Sequence, residues 1–177
     1  MGEDFGYFDP TENLRPKQTT ILEVGPRQLP SVDFFRQFPS AKVVFVSLEP
    51  AEFDYQTRVP GSNYVQANAL DFLTSNDPAI PSDGFDFILV CNTLGPSGEE
   101  LIARNLSKFV PLAYSRLKPG GELIFEETYG HVKPKEGGYI TRIIDRLGFN
   151  AQFLTNPKYT LRKGNWGEGC FQIVVTK

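Results

Sequence analysis

Apolar and β-branched residues gather in short runs along the chain, at 20–24, 42–48, 63–66, 85–91, 122–127, 151–154 and 171–176. Runs of this length, bounded by Gly, Pro, Asn, Asp or Ser, predict strands. Between several of them, 31–38, 98–117 and 138–147 carry apolar residues at helical spacing. In the longest of these, Leu101, Leu106, Phe109, Val110, Leu112, Ala113 and Leu117 form a stripe mostly at i, i+3 and i+4. Lys118-Pro119-Gly120-Gly121 then ends the pattern. The runs VVFVSL (43–48) and FDFILVC (85–91) are almost continuously apolar, which suits parallel strands covered by helices on both faces. Strand–helix alternation of this kind predicts an open α/β sheet joined by right-handed crossovers. The last two predicted strands are separated by a polar, glycine-rich link at 156–169, so a terminal hairpin is expected.

Length and composition narrow the classes. A chain of 177 residues with no internal repeat and no long interior linker predicts one domain over 20–177, preceded by an extension at 1–19. Its 40% hydrophobic and 22% charged residues are ordinary for a globular protein. A net charge of −3, without a dense Lys/Arg stripe, argues against a nucleic-acid partner. Two cysteines, Cys91 and Cys170, lack zinc-ligand spacing, and a single histidine rules out a His-rich metal site. No apolar run nears the ~20 residues that span a bilayer. The first ten residues are acidic and aromatic, unlike a signal peptide. The expectation is a cytoplasmic protein with no membrane partner.

In an open α/β sheet, ligands bind outside the carboxyl ends of the strands, near the reversal of strand order. Four strand ends carry informative residues. Glu23-Val24-Gly25 opens a tight turn. Leu48-Glu49-Pro50 ends a strand in an acid, and a carboxylate there can accept both hydroxyls of a ribose. Ala67-Asn68-Ala69-Leu70 sets a polar residue among small and apolar ones, suited to the edge and face of an adenine. Cys91-Asn92-Thr93 closes the most hydrophobic strand. Each has a plainer reading beside it: Glu23 and Glu49 as strand-terminal acids, Gly25 as a simple terminator, Asn68 as a turn residue. Cys91 reads as an inert core thiol.

Taken in order, these segments resemble the class I S-adenosylmethionine-dependent methyltransferases. The resemblance runs through ILEVGPRQ, VFVSLEP, YVQANALDF, FDFILVCNTL, LKPGGELIFEE and RLGF, and so covers the chain from about Thr20 to Lys177. It implies a single-domain, Rossmann-like, seven-stranded, mostly parallel sheet in the order 3-2-1-4-5-7-6. The last-numbered strand is antiparallel and helices cover both faces. It implies S-adenosylmethionine as cofactor, held by Glu23, Gly25, Arg27, Glu49, Pro50, Asn68, Ala69, Leu70, Asn92 and Thr93.

The first motif departs from the family pattern. An acid-x-Gly-x-Gly-x-Gly turn becomes Glu23-x-Gly25-x-Arg27-x-Leu29, stiffened by Pro26 and Pro30. Where the family's middle glycine lets the backbone approach the methionine part of the cofactor, Arg27 offers a fork that can pair with its carboxylate. The competing reading turns Arg27 out to solvent or closes the pocket.

Methyl transfer to a hydroxyl or acidic carbon needs an in-line nucleophile and a base. The candidates follow the fifth strand: Glu126, Glu127, Tyr129 and His131, the last with an unperturbed pKa near ~6.5 that suits proton transfer. Glu126 and Glu127 alternate across the strand, so at most one faces a pocket. An exposed loop histidine is the plain alternative for His131. No Asp/Asn-Pro-Pro-aromatic stretch follows strand four, which lowers the case for amino methylation of DNA bases. A small-molecule acceptor is therefore expected. Only Asp4–Lys17 and the loop at 130–138 are available as a lid, so the site is expected to be open, completed by a dimer mate or protein partner, or occupied by part of a larger substrate. The alternative function is a catalytically inactive methyltransferase-fold protein serving as a binding or interaction module. A nicotinamide oxidoreductase would want Gly-x-Gly-x-x-Gly, which GPRQLP does not supply.

Overall fold

The computed structural model describes residues 18–26, 32–50, 58–91, 106–128, 158–163 and 170–177. In chain order the elements are β1 (Thr20–Val24), α1 (Val32–Phe35), β2 (Lys42–Ser47), β3 (Asn63–Gln66) and α2 (Ala69–Thr74). They continue with β4 (Phe85–Cys91), α3 (Leu106–Ser115), β5 (Leu117–Thr128), β6 (Lys158–Lys163) and β7 (Cys170–Thr176). The strands form one seven-stranded sheet in the order β3-β2-β1-β4-β5-β7-β6. β3, β2, β1, β4 and β5 run parallel, and β7 is antiparallel to both β5 and β6. Order and sense agree with the expected sheet.

Both faces are buried because side chains alternate along the central strands. Leu22, Val24, Val44, Val46, Ile88 and Val90 join Phe72 and Leu73 of α2 and Phe109, Val110 and Ala113 of α3 on one face. Ile21, Val43, Phe45 and Leu89 meet Phe34 and Phe35 of α1 on the other. There Phe34 sits edge-on to Phe87 at 5.3 Å and Phe35 to Phe45 at 5.7 Å, a geometry that aligns ring edge with ring face.

The structure revises the sequence reading at three places. The strand that pairs with β7 is Lys158–Lys163, inside the segment read as a polar link, while 151–154 and the helical pattern at 138–147 lie outside the described residues. Its charged residues hid it: Lys158, Arg162 and Lys163 flank Tyr159-Thr160-Leu161, a composition that edge strands use to discourage further pairing. Secondly, α2 is only six residues long, too short to show a helical period. Thirdly, Lys118-Pro119-Gly120-Gly121 does more than stop a helix. Phe85 pairs with Leu117 and Phe87 with Glu122, so the segment bulges out of β5 between those two pairs. A Cβ at Gly121 would lie 3.0 Å from the carbonyl oxygens of Phe85, Asp86 and Lys118, so any larger residue would crowd three backbone groups there.

That bulge aims Lys118 at the amino ends of β1 and β4. Its ammonium is 2.8 Å from Asp86 Oδ2 and 3.3 Å from Asp83. Asp86 Oδ2 also accepts the Thr20 N–H at 2.7 Å, and the Thr20 hydroxyl lies within reach of both Asp86 Oδ2 and the Gly84 carbonyl. Lys118 is 5% exposed, and a buried ammonium is tolerable only when paired and hydrogen-bonded. Burial by itself would raise the Asp86 carboxyl, but hydrogen bonds from Lys118 and Thr20 outweigh it and hold the group below its ordinary value of 3.8. Burial likewise opposes charge on Lys118, and its bonds to Asp86 and Asp83 hold it above its ordinary 10.5.

The sign of the pH dependence follows. The Asp86 contribution to stability is complete above pH 3.8 and is lost as pH falls through the lower folded-state value. The Lys118 contribution is complete below pH 10.5 and is lost as pH rises through the higher folded-state value. Urea unfolding of the wild type and of Asp86→Asn should therefore differ by a constant free energy between those limits. The gap should narrow on acidification below the lower one. A gap that stays constant into strong acid would remove Asp86 from the clasp.

Candidate functional site at the carboxyl edge

The parallel strands end in line. Val24 is opposite Val46 and Val90, Val46 is opposite Val65, and Cys91 is opposite Glu126. Strand order reverses at β1, whose neighbours β2 and β4 lead away in opposite directions, and that is where such sheets open a crevice.

β1 passes into a turn at Gly25, which adopts φ +65° and donates its N–H to the Val46 carbonyl at 2.8 Å. Only glycine takes that left-handed conformation cheaply. Glu23 is 1% exposed and lies in register between Phe45 and Leu89, so it belongs to the floor of the edge and not to its rim.

β2 passes into a bend. The Glu49 N–H donates to Ser47 Oγ at 3.2 Å, a local side-chain turn. Gln66 Nε2 donates to the Leu48 carbonyl at 3.2 Å and the Tyr64 hydroxyl donates to the Glu49 carbonyl. Glu49 and Pro50 are exposed, and the Glu49 carboxylate has no partner among the described residues. Leu48, 49% exposed, is the one large hydrophobic exposed among the described residues. The sequence reading passed over it because it continues an apolar strand; exposure alone distinguishes it from core.

β3 passes directly into α2. The Ala67 N–H reaches the Ser47 carbonyl at 2.9 Å, and Asn68, extended at φ −66° and ψ 133°, caps the helix by accepting the Leu70 N–H on Oδ1 at 2.8 Å. Ala69 and Leu70 are half-buried against the core. Of the two readings of Asn68, the local structural role is the one seen, and the cap leaves its amide N–H groups as donors. On β5, Glu127 is opposite Phe171. Arg27, Asn92, Thr93, Tyr129 and His131 lie outside the described residues.

The edge thus brings together Gly25, Glu49, Pro50, Asn68, Ala69 and Leu70. An exposed carboxylate, the exposed isobutyl group of Leu48 before it, the amide donors of Asn68 and the Gly25 turn are set at the ends of three neighbouring strands. That donor set fits an amphipathic nucleoside: hydroxyls for the carboxylate, an apolar face for Leu48, ring nitrogens for the amide.

No protein-family model matches the sequence, and no curated protein matches it. Solved structures do resemble the fold. The plantazolicin methyltransferase BpumL, in complex with a triazolic desmethylPZN analog and SAH, superposes with a TM-score of 0.63 at 10% identity. The match covers 94% of this chain and 80% of that one. A putative O-methyltransferase from Nostoc punctiforme PCC 73102 gives 0.62 at 14% identity, over 93% of this chain and 54% of that one. The N-methyltransferase NodS from Bradyrhizobium japonicum WM9, in complex with S-adenosyl-L-homocysteine, gives 0.54 at 18% identity, over 90% and 78%. The fold is that of the class I methyltransferases.

The cap on α2 is testable apart from any ligand. Asn68→Ala should cost about 1 kcal/mol in urea unfolding, the usual worth of an N-cap side chain, whereas Asn68→Asp should cost little. Equal losses in both variants would mean that the Oδ1 bond contributes nothing to stability.

Proposed function

We propose that the protein binds S-adenosylmethionine across the carboxyl ends of β1, β2 and β3 and transfers its methyl group to a small-molecule acceptor. One observation carries the reading: the Glu49 carboxylate, exposed and without a partner among the described residues, lies two residues beyond β2, the neighbour of β1, whose Gly25 turn marks the reversal of strand order. Glu49 accepts the ribose hydroxyls, with Pro50 fixing the chain beyond it. Leu48 supplies an apolar surface, and Asn68, Ala69 and Leu70 face the adenine. Glu23 and Gly25 shape the turn beneath the methionine part, Arg27 pairs with its carboxylate, and Asn92 and Thr93 line the same crevice from β4. The cofactor supplies a methyl group on a positively charged sulfur. Among the candidates at and beyond the end of β5, His131 takes the acceptor's proton, with Glu127, on β5 itself, and Tyr129 orienting the acceptor. BpumL and NodS, both crystallised with the demethylated product of this cofactor, support the choice.

Two features support a cytoplasmic setting. No described helix is long and apolar enough to cross a membrane. Cys91 on β4 and Cys170 on β7 are separated by β5 and offset by two residues along it, so their backbones are more than about 9–10 Å apart, too far for a disulfide. A second copy or a protein partner completes the acceptor side.

Arg27 and Leu29, standing where the family pattern has glycines, favour a second reading: a methyltransferase fold that binds partners without catalysis. Calorimetric titration with S-adenosylmethionine and S-adenosylhomocysteine separates the two. Binding is expected, and Glu49→Ala should weaken it by roughly 1–3 kcal/mol with the fold intact. In the same series Arg27→Lys should bind less tightly and Arg27→Ala less tightly again, because lysine keeps the charge and loses the fork. Tighter binding by Arg27→Gly, or none by the wild type, would favour the second reading.

His131 is tested by turnover. His131→Ala should lower methyl transfer by ~10²–10⁴-fold while cofactor affinity is unchanged. Near-full turnover would remove it from the chemistry.

A further inference from the structure

β3 ends two residues too soon to support the acid it lies beside. The β2–β3 ladder closes with Ser47 opposite Gln66 and the Ala67 N–H on the Ser47 carbonyl, after which β3 turns away into α2. The carbonyls of Leu48 and Glu49 therefore lie beyond the β2–β3 ladder, with no described strand beside them. Two side chains on the same face of β3 take them instead: Gln66 Nε2 donates to the Leu48 carbonyl and the Tyr64 hydroxyl to that of Glu49.

The geometry of the tyrosine is informative. Tyr64 is opposite Phe45, four residues before Glu49. At about 3.3 Å per residue an extended chain would carry Glu49 roughly 13 Å beyond that level, out of reach of a tyrosine side chain. The contact exists because the chain bends after Ser47, whose Oγ accepts the Glu49 N–H at 3.2 Å. The ring itself is half-buried and packs on the cluster of Phe34, Phe45 and Val59, so its hydroxyl is delivered from a fixed base. Glu49 is thereby held through its own N–H and carbonyl while its carboxylate stays free for a ligand.

We infer that Tyr64 and Gln66 are positioning residues for the nucleoside site: they fix the bend after β2 so that the Glu49 carboxylate is presented at one place along the edge. This rests on the reading of Glu49 given above. Neither side chain is asked to touch the ligand. A flexible bend would lose affinity because the carboxylate would have to be ordered at each binding event, and pre-organisation removes that cost.

A double-mutant cycle read by calorimetry with S-adenosylhomocysteine separates this role from a general structural one. Tyr64→Phe, which keeps the packed ring, should weaken binding about 2- to 10-fold, the worth of one neutral hydrogen bond. In a Glu49→Ala background the same change should have almost no effect, because the group it positions is gone. Gln66→Ala, at an exposed site, should behave the same way and serves if Tyr64→Phe folds poorly by circular dichroism. Equal weakening in both backgrounds would assign the two residues to the fold alone and overturn the inference, as would no weakening in the wild-type background. Failure of the underlying reading looks different: Glu49→Ala would then bind S-adenosylhomocysteine as well as the wild type does.

Discussion

Everything at the carboxyl edge depends on β1 being hydrogen-bonded along both sides to parallel neighbours. Its five residues are all buried, with Leu22 and Val24 on one core and Ile21 on the other. A parallel pair cannot be joined by a tight turn, so each neighbour requires a crossover, and right-handed crossovers leaving in opposite directions pass over opposite faces. α1 accordingly lies on one face while α2 and α3 lie on the other. The connections diverge at the ends of β1 and β4, and the gap between them follows from chirality and pairing before any side chain is specified.

The two edges of the sheet divide the work. At the amino edge, three cations close junctions between elements. Lys118 joins β1, β4 and β5 through Asp86. Arg116 donates to the carbonyls of Leu73 and Ser75 where α2 ends. Lys177 donates to those of Ser115 and Leu117 where α3 ends. Basic groups at helix C-termini satisfy orphan carbonyls and complement the helix dipole together. The carboxyl edge has turns in their place, built from Gly25, Ser47 and Asn68, and its charged group faces outward. Rigidity at one edge lets the other carry exposed chemistry.

What the sequence disclosed follows the same division. β1 and β4 were legible to the residue because burial leaves an almost unmixed apolar signal, and β3 matches its expected range although none of its four residues is buried. β6 was not, since Lys158, Arg162 and Lys163 belong to an edge that must repel partners as well as pair once. Glu49 and Asn68 could be singled out because a polar residue directly after a strand is conspicuous. Their local roles could not: the capping bond of Asn68 depends on a helix too short to announce itself, and the hold on Glu49 passes through backbone carbonyls, which no residue type advertises. The exposure of Leu48 was hidden for the opposite reason, its identity being ordinary and only its position unusual.

The placement of the Glu49 bend has a thermodynamic side. β3 is the outermost strand on its side of the sheet and only four residues long, and two of its residues flank a bend they do not belong to. Short peripheral strands are among the first segments to open in sub-global fluctuations. Each such opening would also release the carbonyls of Leu48 and Glu49, so the local unfolding of β3 and the shape of the carboxyl edge form one equilibrium. A ligand gripping Glu49 would draw that equilibrium toward the closed strand by mass action and slow the exchange of amides in β3 that it never touches.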